Sequence, residues 1–177
     1  ENMIVKNEKT LFFSMPEECK AKNLMRLAHE MNDNTYIYPK DKLCRWIGFI
    51  HGVFYTTNLF NDEIMHTIFN VDGSLTYANI REKSKLIISL LENAGRENFN
   101  FKVNVDFDKT LKEDLIFLMN NAYEGLMKSN LSTIYVHQIM GYIQGICACF
   151  NVINVQEERD FTRPLLHSYH NEKIKSF

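Results

Sequence analysis

Two short strings, Gly48-Phe-Ile-His-Gly52 and Gly141-Tyr-Ile-Gln-Gly145, stand 93 residues apart and hold four of the chain's seven glycines. Both sit in apolar runs with helical spacing, where each glycine costs about 0.5–1 kcal/mol relative to alanine. Glycines four apart strip the side chains from one strip of a helix and let a second backbone come close. The flanking residues carry the same offset: Asn58 matches Asn151, and Asn61 matches Asn154. A capping-box string at Ser14-Met-Pro-Glu17 has a partner at Thr110-Leu-Lys-Glu113, 96 residues on. The pattern predicts a tandem duplication of a three-helix unit, with Gly48, Gly52, Gly141 and Gly145 as helix-contact residues about a pseudo-two-fold axis.

Periodicity fills in the elements. Pro16 suits a first helical turn, and Leu24, Leu27, Ala28 and Met31 make an i, i+3, i+4, i+7 stripe behind it. Pro39 opens a second helix through Trp46 and Phe54, and Asn61 starts a short third one. Asn79-Ile-Arg-Glu82 reads as another boxed start, closed by Gly95. From Phe99 to Phe107 the period changes to two: Phe99, Phe101, Val103, Val105 and Phe107 alternate with polar residues, as in a strand with one apolar face. An Asp72-Gly73 turn between 69–71 and 75–77 reads as a hairpin or a loop. Thr110 caps the next helix, Ser132 or Asn130 the glycine-bearing one, and Asn154 a short one; Pro164 restarts the chain into a last helix. The expectation is a mainly α fold with minor β. An N-terminal helical unit (1–97) and a C-terminal one (110–177) flank an extended connector (98–109) and share one core, since ~90 residues bury little alone.

Composition narrows the function. Lysine plus arginine number 20 against 22 aspartates and glutamates, so no global basic field marks the chain for nucleic acid. None of the four cysteines falls in a C-x-x-C pair, as free thiols in a cytoplasmic setting would not. No apolar run reaches the ~20 residues of a membrane span. Phosphate-loop, dinucleotide, nucleophile-elbow and zinc-helix strings are all missing, so no catalytic residue, cofactor or metal ligand is assigned.

Polar candidates remain. Glu158, Arg159, Arg163 and His167 form the densest cluster, in which arginine forks suit an oxyanion and Glu158 or His167 acid–base work. A solvated, ion-paired helical face explains the same residues. His51 and Gln144 occupy one repeat position, between the paired glycines, where they could line a cleft or satisfy a buried partner. Arg45 and Trp46 with Tyr36 and Tyr38 could make an aromatic–basic patch that stacks on a base, with core packing the simpler reading for Trp46.

The string Met140-Gly141-Tyr142-Ile143-Gln144-Gly145, with Glu157-Glu158-Arg159 and Thr162-Arg163-Pro164-Leu165-Leu166-His167 behind Asn154, resembles small accessory proteins of tailed bacteriophages. The first half lacks the arginines of that tail. The resemblance implies a viral source and the host cytoplasm as the site of action. The expected function is a non-enzymatic binding protein that modulates a host or defence protein or binds one of its ligands, a small phosphate-bearing molecule among them, with room for a homodimer. The alternatives are an enzyme acting on a phosphate-bearing, nucleotide-type substrate and, against the charge balance, a nucleic-acid-binding accessory protein.

Overall fold

The computed structural model describes residues 15–70, 76–95, 103–128 and 133–157. Among the described residues a 3-10 turn at Glu17–Cys19 is followed by α1 (Ala21–Asp33), α2 (Lys40–Thr57), α3 (Asp62–Phe69), α4 (Tyr77–Gly95), α5 (Lys109–Lys128) and α6 (Thr133–Cys149). None of them is long and apolar enough to cross a membrane.

The α2–α6 pair is the most extensive interface and organises the rest. Gly48 faces Gln138 and Tyr142, whereas Gly52 faces Tyr142 and Ile146, so the two helices run parallel through their contact. The buried stripe of α1, Leu24, Leu27, Ala28 and Met31, packs with α4, whose buried residues include Ile80, Ile87 and Leu91. Ser84 lies on that same face of α4 and is buried at no cost in unmet polarity, because its hydroxyl donates to Ile80 O at 2.7 Å. A second, smaller core joins α5 to α6 around Ala122, Val136 and Ile139.

Several starts differ from the sequence expectation. Helix α1 begins at Ala21, behind Pro16 and the 3-10 turn, and Ser14 lies outside the described residues. Helix α4 starts two residues before Asn79, capped by the Thr76 hydroxyl, which accepts from Asn79 N at 3.1 Å. Helix α5 takes Asp108 as its cap in place of Thr110: the carboxylate accepts from Leu111 N at 2.8 Å. For α4 and α5 an earlier side chain reaches the orphan amides first, whereas α1 has no side-chain cap. Ser132 and Asn130 lie outside the described residues.

The minor strand is corrected. No strand occurs among the described residues, and 103–108 is irregular extended chain. Its alternation is nevertheless realised: Val103 is buried, Val105 and Phe107 are half-buried, and Asn104, Asp106 and Asp108 are exposed. Asn104 N donates to Thr56 O at 2.9 Å, and the Phe107 ring packs 5.0 Å from Phe150. Helix ends supply the apolar surface, so period two here marks one buried face rather than a ladder. The strand reading of 69–77 also fails at its ends, since Phe69 closes α3 and Tyr77 opens α4. The stretch 71–75 between them, and 98–102, lie outside the described residues.

Candidate functional site

Backbone lies on backbone where α2 meets α6. A Cβ on Gly48 would strike Gln138 O and come 2.9 Å from Tyr142 N; one on Gly141 would strike Arg45 O and come 2.9 Å from Phe49 N. Gly52 and Gly145 face each other's helices in the same way, through Tyr142 O and Phe49 O. Each contact has its reciprocal at an offset of 93: 48 with 138 and 141 with 45, 52 with 142 and 145 with 49. The agreement continues beyond both helices. Asn58 and Asn151 are the two non-glycine residues described with positive φ, at 51° and 57°. Asn61 accepts from Ile64 N at 2.9 Å, and Asn154 from Glu157 N at 3.0 Å.

At the N-terminal end of the crossing this correspondence breaks down into a charged cluster. Asp41 and His137 are buried and Arg45 is half-buried. Arg45 Nη1 lies 3.0 Å from His137 Nδ1 and 3.9 Å from Asp41 Oδ2, and His137 Nε2 lies 3.7 Å from that same oxygen. Burial lowers the Arg45 guanidinium from its ordinary value, against which the Asp41 carboxylate raises it. Gln138 is buried beside them. Asp41 and His137 are closed to solvent, and the cluster joins α2 to α6. Sequence reasoning missed Asp41 and His137. The Asp41–Arg45 spacing of four was a readable ion-pair signal; His137 is offset from Cys44 by 93, a place where the repeat changes chemistry.

His51 lies midway along α2 in an aromatic slot. Its ring stacks on Phe69 at 4.3 Å and an interplanar angle of 4°, with Tyr142 4.5 Å away on α6. Burial pushes its pKa down to about 4 from 6.5, and burial likewise raises the Tyr142 phenol. The unfolded chain therefore binds a proton at His51 near pH 6.5, and the fold only near pH 4. Stability from the neutral ring is complete above pH 6.5 and is lost as pH falls from there towards 4. His51→Phe, which keeps the stack without the proton, is expected to flatten urea-midpoint curves over that interval by about 2–4 kcal/mol. A variant whose acid lability equals the parent's would refute this.

Beside the cluster, the loop between α1 and α2 builds an aromatic–lysine face. Tyr36 and Ile37 are 67% and 73% exposed. The Tyr36 ring packs 5.7 Å from Tyr77, and Tyr38 meets Trp46 edge-on at 5.4 Å. Lys40 Nζ sits 5.1 Å above the Tyr77 ring, and Lys42 Nζ 4.4 Å from Tyr38 and 5.1 Å from Trp46. The loop beneath is tied down: Tyr38 donates to Glu30 at 2.8 Å, Asn34 Nδ2 to the same carboxylate at 3.2 Å, and Ile37 N to Asn34 O at 3.0 Å. Buried Thr35 donates to Met31 O. Trp46 is half-buried at the edge of the main core.

The other sequence candidates fall elsewhere. Gln144 is half-buried on α6. Glu158, Arg159, Arg163 and His167 lie outside the described residues. Among the described residues, no group of three or more His, Cys, Asp or Glu is placed to hold a metal ion. Cys19 and Cys149, 130 residues apart, meet in the core, and contact with the Cys149 thiol, then burial, raise the Cys19 thiol well above its ordinary value. A thiol so held is a poor nucleophile. No protein-family model, curated protein or solved structure matches the chain.

Proposed function

We propose that this chain is a non-enzymatic binding protein acting on another protein, a host or defence factor in the phage setting that the 140–167 resemblance implies. One observation carries the reading: Tyr36 and Ile37 stand exposed on a loop whose backbone and neighbours are hydrogen-bonded in place. Large apolar side chains grouped on a surface cost solvation unless something covers them. Tyrosine is the kind of residue that anchors interfaces, and a loop already ordered loses little entropy on binding.

The immobilised chain, exposed to bacterial lysate, is expected to retain a protein that a Tyr36→Ala/Ile37→Ser variant releases. Phe117→Ser, which alters an exposed apolar residue on α5, should retain it. Capture that is absent, or equal in all three, would count against the reading.

The same reading takes the chain as a tandem duplication whose glycine helices kept their pairing while their surroundings diverged. What supports it is the reciprocity of the four glycine contacts and the matched roles of Asn58 with Asn151 and Asn61 with Asn154. On this view Asp41, Arg45 and the Tyr36 loop are additions of the first half, the second half carrying Ile134 and Gln138 at the positions that match Asp41 and Arg45.

A further inference from the structure

We infer that Cys19 and Cys149 are a redox-sensitive dithiol, which closes to a disulfide under hydrogen peroxide and fastens the 3-10 turn to the end of α6. Cys19 is the last residue of the turn that precedes α1, Cys149 is the last residue of α6, and the turn packs directly on that helix. Both side chains are fully buried in the main core, and the Cys19 thiol donates to the Cys149 sulfur. Sulfur atoms held in contact by two separate elements meet the first requirement of a disulfide.

The same geometry keeps the other two cysteines out of the pair. Cys44 stands near the N-terminal end of the α2–α6 crossing, beside Arg45, and Cys149 closes the opposite end. Because the helices run parallel, about 20 Å of axial rise separates their levels. Cys147 is only half-buried, and two residues of α-helix turn it about 200° away from Cys149.

Access decides when the bond forms. In the closed core both thiols are shielded, and contact with Cys149 followed by burial keeps Cys19 protonated, so the pair is inert. The turn is the part that can open. Its backbone bonds are Cys19 N to Pro16 O at 2.9 Å and Lys20 N to Glu17 O at 3.2 Å, and Glu17 is exposed. So short an element opens more readily than the whole fold unfolds. Once outside, the Cys19 sulfur attacks hydrogen peroxide: the O–O bond breaks, one oxygen stays on sulfur as a sulfenic acid and the other leaves as water. When the turn returns, Cys149 gives up its proton, attacks that sulfur and displaces the hydroxyl as a second water. Two electrons pass from the sulfurs to the peroxide, and one S–S bond replaces two S–H bonds. The product joins residues 130 positions apart, so it restricts the unfolded chain strongly.

The test treats the whole protein with hydrogen peroxide at urea well below its unfolding midpoint, where the turn opens and the core stays folded. The chain is expected to lose about 2 Da, and proteolysis without reductant to release Cys19 and Cys149 in one cross-linked species. Its melting temperature should rise by about 5–15 °C and return on reduction with dithiothreitol. Cys147→Ala should respond as the parent does, whereas Cys149→Ala should show neither change. Cys19→Ala serves as the same control if Cys149→Ala fails to fold, and peptide mapping of the parent needs no variant. A bond that includes Cys44 or Cys147 would overturn the assignment. So would a parent that keeps both thiols, that carries Cys19 on to a sulfinic acid, or that melts no higher once cross-linked.

Discussion

Gly48→Ala and Gly141→Ala are each expected to lower the stability of the fold by about 3 kcal/mol or more, at the upper end of overpacking costs. The sign is not obvious from the sequence, since alanine in a helix interior gains about 1 kcal/mol over glycine. Tertiary contact reverses it. The added methyl group would overlap a carbonyl oxygen of the facing helix, Gln138 O or Arg45 O, and neither is the end of a flexible side chain that could swing away. The helices must separate, and the contact between Gly52 and Gly145 opens with them. The double variant should therefore cost clearly less than the two single effects added, because one separation relieves both clashes. Urea midpoints with unchanged slopes would measure all three. Additive losses, or single variants as stable as the parent, would mean that the crossing is looser than described.

Asp41→Ala is the second large effect, expected at about 3–5 kcal/mol. The cause is what it removes: the Asp41 carboxylate, whose Oδ2 lies 3.9 Å from Arg45 Nη1 and 3.7 Å from His137 Nε2, where His137 is buried and Arg45 half-buried. Arg45 is the more adaptable of the two, because its stem can carry the guanidinium outward to water. Replacing the whole cluster, Asp41→Leu with Arg45→Met and His137→Leu, should recover much of the loss, since a well-packed apolar set often matches a buried ionic one. Denaturation of the single and triple variants separates the two cases. A single variant within ~0.5 kcal/mol of the parent would show that the cluster contributes nothing. Recovery in the triple variant would leave register and pairing specificity as the remaining reason for charge at this place.

How much of this could be read in the chain varies with the range of the interaction. The stripe Leu24, Leu27, Ala28, Met31 is the complete set of buried residues in α1, because helical spacing alone decides which side chains share a face. The Asn61 and Asn154 caps were legible for a similar reason, a side chain reaching an amide three residues away. Local rules misplaced the starts of α4 and α5, where Thr76 and Asp108 compete for the same amides and stand earlier in the chain. At 103–108 the alternation was correct and the inference from it was not. Period two states that one face is buried, and leaves open whether a strand or a helix end covers it.

The site followed the same division. Trp46, Tyr36 and Tyr38 were visible as an aromatic–basic patch, yet neither Tyr77 nor the lysine placement over the rings could be read before the chain folded. Asp41 and His137 are 96 residues apart and meet only because α2 and α6 run parallel. By itself the sequence determined a helical chain and its apolar stripes, which are properties of residues within a few turns of each other, and two glycine pairs at one offset of 93, legible because like spacing can be matched without knowing where the chain goes. The tertiary structure alone decided that those pairs face one another backbone to backbone, that a carboxylate, a guanidinium and an imidazole share one buried place, and that Tyr36 and Ile37 stay exposed. Those outcomes depend on which distant surfaces exclude water together, and no local spacing encodes that.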